Sequence, residues 1–139
     1  MGLLFPKGLA RFHDLSLLAL RLFVGAFLIW GVWDNITSAA RMKEFEGFLA
    51  ALHCPMPEIA APLSVWAQFL IGVLLIPGLM TRWAGVVLAV NFIVAVALMA
   101  PTGADFRALY NPAILIFVGL ILATGGAGKM SLDRRLEGA

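Results

Sequence analysis

Between Gly72 and Arg82 the chain reads Gly-Val-Leu-Leu-Ile-Pro-Gly-Leu-Met-Thr-Arg, and this stretch limits the fold more than any other. It closes one long apolar run, and a second begins at once with Trp83-Ala84-Gly85. Pro77 and Gly78 loosen a helix, the first by lacking an amide donor and the second by backbone freedom. Thr81-Arg82 then stops it. With so little polar chain between two membrane-length segments, the connection reads as a tight turn at a bilayer surface. It makes two antiparallel helices, and the rest of the chain has to pack around them.

Composition points the same way. Of 139 residues, 62% are hydrophobic and 13% charged, whereas a soluble domain carries about 25% charged residues. That leaves too little polar surface to cover a globule in water, so the surplus apolar surface needs lipid. A net charge of +2 says nothing about nucleic acid, since the placement of the basic residues matters more; no nucleic-acid partner is expected. No phosphate loop, nucleophile elbow, zinc motif or nucleic-acid module occurs. The single cysteine, Cys54, excludes an internal disulfide, a Cys-x-x-Cys redox pair and multi-cysteine metal sites. Leu15 to Trp33 is longer than the roughly 7–15-residue core of a signal peptide and is interrupted by Arg21, so it reads as a retained helix.

A helix needs roughly 20 residues to cross about 30 Å of hydrocarbon. On that measure four spans are expected, at about 15–36, 58–79, 83–100 and 109–124. The predicted fold is all-α: an integral membrane four-helix bundle forming one domain, with a short interfacial helix in the first extracytoplasmic loop. In that loop Phe45, Phe48, Leu49 and Leu52 fall at helical spacing, which suits a helix lying on the membrane or folded over the bundle. Pro112 is expected in the first turn of the fourth span, where a missing amide hydrogen costs least. Lys129 to Ala139 reads as a polar, mobile tail. Gly25 and Gly85-x-x-x-Ala89 would let helices approach closely.

Four spans put both termini on one face, together with Lys7, Arg11, Arg82, Lys129, Arg134 and Arg135; Arg41, Lys43 and Arg107 fall on the other. The excess of basic residues on cytoplasmic segments then places both termini in the cytoplasm of a cell whose inner (plasma) membrane holds the protein.

Polar groups inside the bilayer are costly and usually face the bundle interior, so they are the first functional candidates. Counted along the helices, Arg21, Gln68 and Asn91 lie about 9, 16 and 12 Å from the cytoplasmic face. They are expected to share one polar layer, in which an amide oxygen accepts from the guanidinium. That layer reads either as interhelical glue, worth about 0.6–2 kcal/mol per bond, or as a site for an anionic or quinone-like head group. A second cluster is expected on the outer side: Trp30, Trp33, Asp34, Asn35, His53, Trp66, Tyr110 and Asn111. It could wall a ring ligand and pass protons, or be a helix cap and an aromatic belt. His53 with Asp34 is too few ligands for a metal, and no metal is expected. His13 and His53 fall on opposite faces, which argues against bis-histidine haem.

Three motifs stand in order along the chain: Leu20-Arg21-Leu22 with Gly25 and Gly31, Pro55-x-Pro57, and Gly72-x-Leu74-Leu75-x-x-Gly78-Leu79-x-Thr81-Arg82-x-Ala84. On these the chain resembles the DoxX family of small four-helix membrane proteins. It departs from the family at Gly31-Val32-Trp33-Asp34, where a Gly-x-x-Lys is common, and at Gln68, near which members commonly carry a glutamate. An amide does not titrate as that acid would. The resemblance implies a redox-linked membrane subunit associated with quinone. The residues offer no ligand set for a redox centre, so no tightly bound cofactor is expected. The other readings are a non-catalytic accessory or assembly subunit and a binder of a small lipophilic molecule. The implied partners are the lipid bilayer and either a redox-complex protein or a second copy. The residues name no catalytic group.

Overall fold

The structure is a computed structural model that describes residues 3–138. Among the described residues, four helices are long and apolar enough to cross a membrane. They are α1 (His13–Thr37), α3 (Pro57–Leu75), α4 (Thr81–Met99) and α5 (Phe106–Gly125), with the shorter α2 (Ala39–Ala51) and α6 (Leu132–Glu137) between and after them. Short 3₁₀ segments lead into α1 (Lys7–Phe12) and follow α4 (Ala100–Thr102). The all-α bundle and the helix in the first loop are as the sequence implies.

Local chemistry sets the helix ends. Ser38, Asp105 and Ser131 cap α2, α5 and α6 by accepting from the amides of Arg41, Ala108 and Arg134, which satisfies donors that have no intrahelical partner. Asp105 draws the start of α5 back to Phe106, so Pro112 lies inside that helix rather than in its first turn. Pro62 likewise lies inside α3. Each interior proline frees one carbonyl of the preceding turn.

The connection at Pro77 is longer than expected and begins earlier. α3 ends at Leu75, and Gly78 (φ +74°) and Met80 (φ +50°) adopt the left-handed conformation. Thr81 and Arg82 therefore open α4 instead of closing α3.

Two glycine-on-glycine crossings bring the spans together. A Cβ built on Gly72 would lie 2.7 Å from the Gly25 carbonyl oxygen, and one on Gly25 would lie 2.9 Å from that of Gly72. The same holds for Gly85 and Gly119, each placing a Cβ 2.6 Å from the other's carbonyl oxygen. α1 is thus locked to α3, and α4 to α5, at backbone distance; α4 and α5 form the most extensive pair. Because lipid tails are as apolar as leucine, such close packing rather than water exclusion holds membrane helices together. Between the pairs, Val24, Leu28, Ile71, Leu75, Ala84, Leu88, Leu115 and Leu122 fill a common core. Outside it the spans present Phe23, Leu63, Val90, Phe117 and Ile121 to the surroundings, as lipid contact requires. Trp30 is 78% exposed.

The segment after α5 does not trail off as a mobile tail. It turns back across the Pro77–Met80 turn, where the amides of Leu132 and Asp133 donate to the carbonyls of Pro77 and Gly78 at 3.0 Å each.

Candidate functional site

The three intramembrane polar residues do not form one layer. Arg21 goes one way, while Gln68 and Asn91 go another.

Arg21 is fully buried, with 0% exposure. Its Nη1 donates to the carbonyl of Leu75 at 3.4 Å and its Nη2 to that of Met130 at 2.5 Å. Neither acceptor is an amide side chain. Gly78 leaves room for this, since a Cβ there would collide with the guanidinium. Asp133 supplies the nearby negative charge, acting through space. Its own oxygens accept from the amides of Met80 at 2.6 Å and Thr81 at 2.8 Å, so it caps α4. Asp14, at the start of α1, accepts from the Lys129 amide at 3.0 Å, and Arg82 donates to the last carbonyls of α5, Ala123 and Thr124. Arg21, Asp133 and the turn are therefore one structural lock at the end of the bundle where both termini lie. Both terminal nitrogens of the guanidinium are thus engaged by backbone carbonyls, while Nε is buried without a partner.

Gln68 and Asn91 meet through a residue that sequence reasoning passed over. Gln68 Nε2 donates to Ser64 Oγ at 3.1 Å, and Ser64 Oγ donates to Asn91 Oδ1 at 2.8 Å. Ser64 is four residues before Gln68, so both stand on one face of α3. That spacing was the available signal. All three side chains line a cleft of about 710 Å³, within the range of small-molecule sites. Its walls come from α1 (Val32, Asn35), α2 (Phe45, Phe48, Leu49, Leu52), α3 (Leu63, Val65), α4 (Val87, Val90, Phe92, Val94) and, at Pro112, α5. The apolar face of α2 is thus folded over the bundle, settling an alternative that periodicity left open. Phe48, Leu63, Val87, Val90 and Val94 are exposed at the rim, so the cleft opens sideways from the spans.

The expected outer cluster does not converge on this cleft. Trp30, Asp34, His53, Trp66 and Asn111 line neither it nor the polar groove at the end bearing the termini. Trp66 packs edge-on against Phe69, and Tyr110 against Phe106. Asn35 alone of that cluster lines the cleft, and its side chain donates to the Arg41 carbonyl. Among the described residues no group of three metal-binding side chains occurs.

The DoxX family model matches residues 16–101, from α1 through α4. Comparison with curated proteins and with solved structures finds no match.

Proposed function

Taking as premise that the chain belongs to the DoxX family, we propose that it is a quinone-associated membrane subunit whose cleft between α1, α2, α3 and α4 holds the ring of a quinone-like lipid. The observation that carries this is the Gln68–Ser64–Asn91 chain set into an otherwise apolar cleft that opens sideways. A ring with an isoprenoid tail needs that combination: hydrocarbon walls for the tail and a few convergent polar groups for the head. A ligand dissolved in the bilayer enters such a cleft without crossing water.

In this reading the subunit serves a redox partner and carries no redox group of its own. Both termini lie in the cytoplasm, supported by the basic residues gathered at that end. The membrane is the inner (plasma) membrane.

Purification in mild detergent, solvent extraction and mass spectrometry of the extract test the proposal. Quinone is expected in near-stoichiometric amount in the wild type and strongly depleted in Val90→Trp, which fills the cleft from α4. Equal quinone in both, or none in either, would overturn it. A visible haem or flavin band would overturn the view that the polypeptide has no redox group of its own.

A further inference from the structure

This inference rests on the reading of the cleft as a ligand site and asks which states of a ligand that site holds. Gln68 Nε2 donates to Ser64 Oγ, and Ser64 Oγ donates to Asn91 Oδ1. That engages one end of each amide. Gln68 Oε1 and Asn91 Nδ2 make no hydrogen bond to the described residues, and neither is sealed off: the buried side-chain atoms without a partner there are Arg21 Nε and Thr81 Oγ1. Asn91 Oδ1 keeps a second lone pair. Asn35 adds a further amide to the lining; its nitrogen donates to the Arg41 carbonyl and its oxygen is left over. The polar strip of the cleft therefore offers donors and acceptors together.

The chain is also reversible. A half-turn of a side-chain amide exchanges its oxygen and its NH₂ with almost no change of shape, and a hydroxyl donates to one neighbour while it accepts from another. With both amides turned, Asn91 Nδ2 donates to Ser64 Oγ, and Ser64 Oγ donates to Gln68 Oε1. Two hydrogen bonds stand in either sense, so the turn costs little. In the first sense Asn91 presents N–H groups to a ligand; in the second it presents its oxygen.

A rigid polar site discriminates because the wrong ligand leaves a buried group unpaired. Here a ring carbonyl meets the Asn91 N–H groups, and a ring hydroxyl donates to an amide oxygen, so neither form leaves one. Charge is treated differently. Among the described residues no Lys, Arg, Asp, Glu or His lines the cleft. An anion placed there would lose its hydration with no cation to replace it, which is costly in a low-dielectric site.

We infer that the cleft holds an uncharged lipophilic ring, through the amides of Gln68 and Asn91, in both its oxidised carbonyl and its reduced hydroxyl form with like affinity, and rejects an anionic ring of the same size. Equal affinity leaves the reduction potential of the ring unchanged on binding, as linkage requires. The site is then a place of exchange, which a redox partner fills with one form and empties of the other. It does not drive the ring toward either state.

Equilibrium binding to the purified full chain in mild-detergent micelles tests this. The probes, matched in size, are a short-tailed naphthoquinone, its hydroquinone held reduced under dithionite, the alkylnaphthalene without oxygens, and an alkylnaphthalene sulfonate. The quinone and the hydroquinone are expected to displace one another and to bind within about threefold, a gap smaller than one ordinary hydrogen bond gives. The oxygen-free ring is expected to bind about fivefold or more weakly, and the sulfonate not at all. Asn91→Leu, checked for folding by size-exclusion chromatography, is expected to weaken both ring forms alike, by about fivefold, because one side chain serves both. Should that variant misfold, the wild-type comparison decides alone. A larger gap between the two forms, an oxygen-free ring bound as tightly as they are, tight sulfonate binding, or an Asn91→Leu loss that is absent or confined to one form would overturn the inference while leaving the cleft a ligand site. If no ring binds at all, the proposed function falls with it.

Discussion

Gly119→Ala adds one methyl group at the α4–α5 crossing, and the structure sets its cost. The new Cβ would lie 2.6 Å from the Gly85 carbonyl oxygen, 2.7 Å from the Ala89 amide nitrogen and 3.1 Å from the Ala89 Cα. All three are backbone atoms, so no rotamer change relieves the contact. Ordinary contact begins near 3.4 Å, so the helices must part by about 0.8 Å at this point, and a gap of that size forfeits about a quarter to a half of each dispersion contact nearby. Leu88, Leu115 and Leu122, buried beside the crossing, lose most. Overpacking of this kind costs about 1–3 kcal/mol, and the upper half of that range is expected because packing is what holds the pair.

Reversible unfolding in mixed micelles, followed by far-ultraviolet circular dichroism against the mole fraction of denaturing detergent, reads the change. The Gly85→Ala/Gly119→Ala double variant should cost less than the sum of the single variants, since one separation relieves both contacts. Gly47→Ala, where a Cβ meets nothing within 4 Å, should be neutral or slightly stabilising. A Gly119→Ala protein within about 0.5 kcal/mol of wild type, the ordinary scatter of harmless substitutions, would refute the packing argument. Strict additivity of the double variant would do the same.

Three further outcomes follow from the lock and the charge pattern. Arg21→Ala empties a fully buried site and leaves the Leu75 and Met130 carbonyls without their donor; a loss of about 3 kcal/mol or more is expected in the same titration, and wild-type stability would exclude a structural role. Asp133→Ala uncaps α4 at Met80 and Thr81, with an expected loss of about 1–2 kcal/mol; hydrogen exchange at those two amides should quicken, and unchanged exchange would show that the carboxylate does not hold them. Reporter fusions at residue 139 and within residues 40–46 should report cytoplasm and exterior respectively; a cytoplasmic signal from the loop would reverse the proposed orientation.

Much of the architecture was legible because apolar length is a one-dimensional property. Four apolar runs, a loop with helical periodicity and a turn at Pro77-Gly78 can be counted along the chain, and each appears in the structure near its expected place. Errors arose where a terminus depended on a cap: Asp105 starts α5 early enough to bury Pro112 within it. The C-terminal segment was misread as mobile because its hydrogen bonds are made largely by backbone groups and by two carboxylates, Asp133 and Asp14. Side-chain composition does not advertise those contacts.

Position along each helix was likewise countable, and it was not enough. Residue counting put Arg21, Gln68 and Asn91 at similar depths, yet whether they touch depends on how each helix is rotated and on which neighbour it crosses. The Gly25–Gly72 and Gly85–Gly119 approaches set those rotations. They turn Arg21 toward the returning C-terminal segment, and Ser64, Gln68 and Asn91 toward a shared cleft. The chain by itself thus determined that lipid is its solvent, how often it crosses and in what order. Only the tertiary structure decided which polar groups meet, because a carbonyl partner such as that of Met130 is chemically identical at every residue and is selected by position alone.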